Sequence, residues 1–248
     1  GQRLEGSEQC NMGLNCCNAS GPRALFTFPL AAVMQNKSGI QINFFAAGMY
    51  KLKTPGGFDL TLAQETNYPE SGDIDLSLKM EKPEDLAIKI RIPAWCIKLV
   101  IRINGQPMNG VIAGNNYEIK RLWQNGDKIQ INFEMEGKII NTGGNPDFMA
   151  ITWGPIVLAR DSRVEGPALE SMIAPVIENK GYIKLRKVSS TNPEIWQQFE
   201  ASFIPESYLE GGAKPVAVQF CDYASAGNSM DSFPFFKVWM PQLYDPRK

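Results

Sequence analysis

The sequence predicts a mainly β protein, two antiparallel sandwich-like units preceded by one short helix. Three observations carry that reading. From residue 39 onward apolar residues recur with period two. Turn residues punctuate these runs at intervals of about 8 to 12 residues, as in sandwiches and barrels. One early segment alone has a helical pattern.

That segment is "GPRALFTFPLAAVMQ". Pro22 stands where a first helical turn tolerates it, and Leu25, Phe26, Leu30, Ala31, Val33 and Met34 do not alternate. Pro29 predicts a kink or a division, and "NKSG" at 36–39 predicts closure, with Gly39 as the cap. An amphipathic helix of this length needs partners for its apolar face, and no other segment offers a helical one.

The strands follow in order. "GIQINFFAAGMYKL" alternates and is rich in β-formers, "PGG" at 55–57 is a turn, and "FDLTLAQET" alternates again. "DIDLSLKM" sets Ile74, Leu76, Leu78 and Met80 on one face, and "LAIKIRIPAW" does the same with Leu86, Ile88, Ile90 and Ile92. Asn104-Gly105 is a hairpin signal, and Asn125-Gly126 a second turn. "INTGGNPDF" at 140–148, with two glycines and a proline, reads as the internal boundary. Beyond it "FMAITWGPIVLARD" reads as buried strand broken at Gly154-Pro155. "GYIKLRKV", "QQFEASFIP", "KPVAVQF" and "FPFFKVWMP" read as strands of a second unit, with "CDYASAGNSMDS" as a loop. The organisation expected is 1–34 helical, 35–140 a middle β-sandwich and 141–248 a C-terminal β-rich unit.

Composition narrows the function. Twenty-five Lys and Arg against 26 Asp and Glu leave a formal charge of -1. No basic surface argues for nucleic acid. No stretch approaches the roughly 18 apolar residues of a membrane span. Histidine is absent, which removes Ser-His and Cys-His dyads and histidine metal sites. Any chemistry carried by these residues runs on carboxylates and thiols.

Five cysteines stand at 10, 16, 17, 96 and 221. An odd number, three of them crowded near the start, makes a poor disulfide framework. A local thiolate cluster for metal or catalysis is one reading of Cys16 and Cys17; two small buried residues at a helix start is the other. Cys96, next to the Pro93-Ala94-Trp95 turn, and Cys221, after an apolar strand, read as structural.

"NCCNASGPRALFTFPLAAVM" resembles the Cys-Cys segment of the β-L-arabinofuranosidase-like glycoside hydrolases. Other segments agree in order. "LTLAQETNYPESGDIDLSLKMEKPEDLAIKIRIPAW" is similar to the family's Tyr-Pro turn, strand pair and Arg-Ile-Pro-x-Trp motif. "VIRINGQPMNG" resembles its Val-Asn-Gly hairpin and "LWQNGDKIQINFEM" its Trp-x-x-Gly-Asp strand. "FMAITWGPIVLARD" resembles its Arg-Gly-Pro-Leu-Val strand, with Trp153 in place of the Arg, and "FFKVWMP" its closing strand.

The resemblance implies an (α/α) barrel that carries the active site, followed by β-sandwich domains. Residues 1–34 would be the terminal helical piece of that barrel. It implies Cys16 as nucleophile and Cys17 as a zinc ligand, with Cys16 close to the same metal. Metal binding deprotonates a thiol, and a thiolate can attack an anomeric carbon in a retaining double displacement with a glutamate as acid/base. The family's remaining zinc ligands, a Glu-x-Cys pair, and its acid/base glutamate lie well upstream of the cysteine pair. Glu8-Gln9-Cys10 has that spelling but sits too near the pair to be equated with it, so Cys10 and Glu8 are only secondary metal candidates.

The expectation is therefore the C-terminal part of a retaining glycoside hydrolase, inactive alone, whose β units brace a barrel not contained in these residues. Its substrate would be an oligo- or polysaccharide, and its location periplasmic or extracellular by resemblance. The alternative is a non-catalytic β-sandwich module that binds carbohydrate or supports a neighbour. Trp95, Trp123, Trp153, Trp196 and Trp239 could stack on sugars, although core or interface packing is the plainer role for each. Arg23 reads as a surface or packing residue. Asn141, Asn145 and Asp147 lack the acidic density of a calcium loop, and the aromatic loop ahead of the last strand reads as a docking element.

Overall fold

The computed structural model describes residues 16–142, 145–179, 181–206, 214–229 and 234–243. The chain divides into two compact units between Met135 and Glu136.

The first unit begins with α1 (Cys16–Ala32) and continues through β1 (Val33–Asn36), β2 (Gly39–Ile42), β3 (Gly48–Lys53), β4 (Asp59–Thr66) and β5 (Asp73–Met80). It is completed by β6 (Glu84–Arg91), β7 (Leu99–Ile103), β8 (Gln106–Pro107), β9 (Asn116–Trp123) and β10 (Lys128–Phe133). One sheet has the order β1-β2-β6-β9, the other β3-β4-β5-β10-β7-β8. Their inner faces share one core. Ile40, Ile42, Leu86, Ile88, Ile90, Ile119 and Trp123 come from the first sheet, and Leu60, Leu62, Ile74, Leu76, Leu78, Ile101, Ile129 and Ile131 from the second. The period-two pattern thus became burial at every second position, as a sandwich requires.

Two local outcomes differ from the sequence reading. The helix starts at Cys16, so Pro22 and Pro29 both lie inside it. Val33 and Met34 leave the helix for β1, because "NKSG" is not a helix cap but the β1–β2 turn. Asn36 Oδ1 there accepts from the amides of Ser38 and Gly39 at 2.8 and 3.1 Å. Sheet pairing outcompetes a last helical turn for the β-branched Val33. The pair β2–β6 is parallel, and the unit's other strand pairs are antiparallel. Asn104 and Gly105, at φ 49° and 83°, close the β7–β8 hairpin as expected. The Asn125-Gly126 turn instead carries the chain from β9 in one sheet to β10 in the other.

The second unit contains β11 (Gly137–Thr142), β12 (Asn145–Trp153), β13 (Ile156–Asp161), β14 (Ile173–Pro175), β15 (Ile177–Asn179) and β16 (Tyr182–Ile183). It continues with β17 (Arg186–Val188), β18 (Gln198–Pro205), β19 (Val216–Asp222), β20 (Phe236–Lys237) and β21 (Met240–Pro241). The main path is β14-β18-β19-β13-β12-β11-β16-β15, with β17 on β18, β20 on β13 and β21 on β12. Phe199, Phe203, Phe220, Ile151, Leu158 and Met149 fill its core. Residues 140–142 and 145–148, expected to mark the boundary between units, instead belong to the paired strands β11 and β12 inside this unit. Gly154 turns β12 into β13 at φ 52°, and the closing segment forms two two-residue strands.

Candidate functional site

Cys16 and Cys17 are the first two residues of α1, and only their backbone is among the described parts of the chain. Cys10 and Glu8 lie outside the described residues. Downstream of the pair, the helix is held at its C-terminal end. The amides of Asn43 and Phe44 donate to the Ala32 carbonyl at 2.9 and 3.2 Å, and Asn43 Nδ2 donates to the Ala31 carbonyl at 2.9 Å. Phe28 packs on Phe44 with ring centroids 5.1 Å apart.

The rest of α1 is apolar yet open to solvent. Leu25, Phe26 and Leu30 are 75%, 81% and 77% exposed. Pro22 and Pro29 each remove an amide donor from the helical ladder, and the Thr27 hydroxyl bonds back to the carbonyls of Arg23 and Ala24 at 3.0 Å each. Such a helix draws its stability from what packs on it rather than from its own ladder. Arg23 is exposed on it.

A zinc site with thiolate ligands needs about four donors. Among the described residues no group of three or more Cys, Asp or Glu side chains converges. The two thiols fit zinc by donor chemistry.

The second unit holds a polar cluster that the sequence did not point to. The buried Asp161 carboxylate accepts from Arg163 Nε and Nη2 at 2.8 Å each, from the Arg163 amide at 2.9 Å and from the Gly227 amide at 2.8 Å. Burial acts to raise its pKa, but these donors outweigh burial and hold it below the usual carboxylate value. Asp222 accepts from the Gln197 amide at 3.0 Å, the Ser225 amide at 2.9 Å and the Ser225 hydroxyl at 2.7 Å. Arg163 Nη2 also reaches the Ser225 carbonyl at 2.7 Å, and Nη1 the Asn228 carbonyl. With its donors and acceptors engaged inside the protein, this cluster orders the loop at 223–228. The one available signal was a charged residue closing each of two apolar strands, at "LARD" and "QFCD".

Arg160 is buried and donates to the carbonyls of Pro167 and Ala168 at 2.7 Å each, and to Ser171 at 3.2 Å. Burial lowers its pKa. Burial, then the nearby Asp161 and Asp222, pushes the Cys221 thiol up to about 12, so it is inert. Cys96 is buried with its Sγ 3.1 Å from the Lys98 carbonyl. Trp123 is fully buried, Trp95 packs edge-on to Phe133 and Trp153 packs on Phe199. Trp196 and Trp239 remain about half exposed. Asn141 Oδ1 accepts from Gln242 Nε2 at 3.4 Å, while the Asn145 side chain lies outside the described parts.

Residues 39–135 match the family model described as β-L-arabinofuranosidase, GH127 middle domain. Over these residues the chain is similar to a GH127 middle domain. The match begins at the first residue of β2 and ends two residues past β10, so it covers β2 to β10 of the sandwich but neither α1 nor β1. Three solved structures share the fold beyond it. A GH127 β-L-arabinofuranosidase from Geobacillus stearothermophilus T6 aligns with TM-score 0.77 and 21% identity, over 92% of this chain and 37% of its own. A glycoside hydrolase aligns at 0.76 and 23%, over 94% and 40%. A GH127 β-arabinofuranosidase aligns at 0.75 and 22%, over 92% and 38%. The chain therefore spans about two fifths of the length of the structures it matches. Comparison with curated proteins gives no match.

Proposed function

We propose that this chain is the β portion of a β-L-arabinofuranosidase-type glycoside hydrolase, joined through α1 to a helical catalytic domain that the residues in hand do not contain. The observation that carries the reading is a juxtaposition in the chain. A Cys-Cys pair opens an apolar, solvent-exposed helix, and the segment that matches the GH127 middle-domain model begins at Gly39, shortly after that helix ends at Ala32.

In this reading Cys16 is the nucleophile and Cys17 a zinc ligand. Successive helical positions are turned about 100° from each other around the axis, so a pair at the head of a helix suits two different tasks. The metal would supply deprotonation, keeping thiol sulfur as thiolate at neutral pH. Cys16 sulfur would bond to the anomeric carbon as the bond to the leaving oxygen breaks, and a carboxylic acid would protonate that oxygen. Water, deprotonated by the same carboxylate, would then displace the sulfur as thiolate in a second inversion, giving net retention. The acid/base carboxylate and the other zinc ligands would come from the catalytic domain, so the present residues alone would not turn over substrate. The two β units would brace that domain.

The test uses the full-length protein, with zinc measured by plasma mass spectrometry and hydrolysis of an aryl β-L-arabinofuranoside followed in parallel. Cys17→Ser is expected to lose zinc and turnover, and Cys16→Ser to keep zinc while losing turnover. Wild-type rates in both variants would overturn the assignment.

A further inference from the structure

An open groove of about 650 Å³ runs between the last turn of α1 and the edge strands β1 and β3, lined by Pro29, Leu30, Met34, Met49, Tyr50 and Leu52 among others. Leu30 and Met49 are each 77% exposed and Met34 50%. β1 and β3 are the outermost strands of their two sheets. The groove is thus the side of the sandwich where the sheets are left open. A sandwich normally covers or charges such edges; this one carries Lys51 on β3 but also exposes Leu30, Met34 and Met49 beside it.

We propose that this groove seats the helical remainder of the same polypeptide, making the β1/β3 edge the middle domain's docking edge. The proposal rests on the reading above and adds the place of contact. Three observations select the occupant. First, Pro29 and Leu30 line the groove and also belong to the exposed part of α1, so helix and groove form one apolar surface. Second, Leu25, Phe26, Phe28 and Leu30 spread over an arc of roughly 200° around α1. An arc that wide is covered by several neighbouring elements rather than one, as within a helical domain. Third, the solved chains with this fold extend over more than twice its length.

A small polar ligand suits the groove poorly. Its Tyr50 hydroxyl already donates to the Ala46 carbonyl at 3.1 Å, and Gln35 Oε1 accepts from the Lys53 amide at 2.7 Å. Lys51 supplies the one charge among the lining side chains, and the rest of the lining is mainly apolar. Methionines at 34 and 49 provide adaptable packing for an irregular protein surface.

The experiment places the photo-crosslinking residue p-benzoylphenylalanine at position 49 of the full-length enzyme, with position 112 as control. Ile112 is 63% exposed in the same unit and does not line the groove. The expected result is an intramolecular crosslink from position 49 to polypeptide outside residues 1–248, several-fold above position 112. Met49→Glu and Leu30→Glu should lower the thermal midpoint of the helical domain by several degrees, while Ile112→Glu leaves it unchanged. Crosslinks from position 49 to a second copy, or none above the control, in an enzyme that hydrolyses its substrate would overturn the docking edge and leave the functional reading standing. A full-length protein with no helical domain would overturn both.

Discussion

Replacing Asp161 by asparagine removes the charge that balances Arg163 inside the second unit. The carboxylate accepts four hydrogen bonds of 2.8 to 2.9 Å, two of them from the guanidinium. After the substitution the buried guanidinium keeps Glu194 at 3.4 Å as its acidic neighbour. Breaking one partner of a buried pair costs about 3–5 kcal/mol, a large fraction of a domain's stability. Urea unfolding of the chain at pH 7, followed by tryptophan fluorescence, is the assay. The loss should fall on the transition of the unit containing Trp153, Trp196 and Trp239, not on that of Trp95 and Trp123. Removing both partners, in Asp161→Asn with Arg163→Met, should cost less than the sum of the single losses. The acid limb gives a second readout. Because the folded pKa of Asp161 is depressed, its contribution is fully present above the unfolded value near ~3.9. That contribution is lost as pH falls through the folded value, and the Asp161→Asn variant lacks this loss. A destabilisation under about 1 kcal/mol, far below the buried-pair range, or an unchanged acid profile, would refute the reasoning.

Other expectations follow from the same structure. A Cβ at Gly72 would stand 1.8 Å from the Phe133 carbonyl oxygen, and Phe133 is held in place because its amide donates to the Gly72 carbonyl at 2.9 Å. Gly72→Ala should therefore cost about 1–3 kcal/mol or more in urea unfolding. Gly105 has open space around its Cβ position but φ +83°, so Gly105→Ala should cost only the left-handed backbone term, about 1–2 kcal/mol. Gln197 is buried with neither amide atom hydrogen-bonded, so Gln197→Met should be neutral or stabilising by thermal melt. Native alkylation at pH 8 followed by peptide mass spectrometry should leave Cys96 and Cys221 unlabelled until urea is added, since both are buried and the Cys221 pKa stands near 12.

The sandwich of the first unit was legible because its signals are local. Ile74, Leu76, Leu78 and Met80 alternate on β5, and the alternation is their burial. Asn104-Gly105 states its own turn. What failed was where two local rules compete. Pro22 is a good first-turn residue, yet the helix extends six residues ahead of it, and "NKSG" suits both a helix end and a hairpin. Tertiary pairing of β1 with β2 decided between them. Pairing between strands distant in sequence leaves no local mark, so the parallel β2–β6 contact is not legible; the β11–β12 pairing is local, but the glycines and proline between and around those strands suit a boundary as well as a strand connection. The Asp161 and Asp222 cluster was hidden because the bonds that join its two halves, from Arg163 to the Ser225 carbonyl and from the Gly227 amide to Asp161, span more than sixty residues, while its local bonds follow no motif. Cys16 and Cys17 stand out in the sequence through residue type and resemblance, not through spacing.

The account stands or falls on a sulfur–sugar bond at the head of α1. Full-length enzyme, quenched in acid during turnover of an activated aryl β-L-arabinofuranoside, can be digested and mapped by mass spectrometry. The predicted result is one pentosyl unit on the peptide bearing Cys16, absent from the Cys16→Ser variant. A pentosyl adduct on a carboxylate elsewhere, with Cys16→Ser still turning over at the wild-type rate, would contradict it.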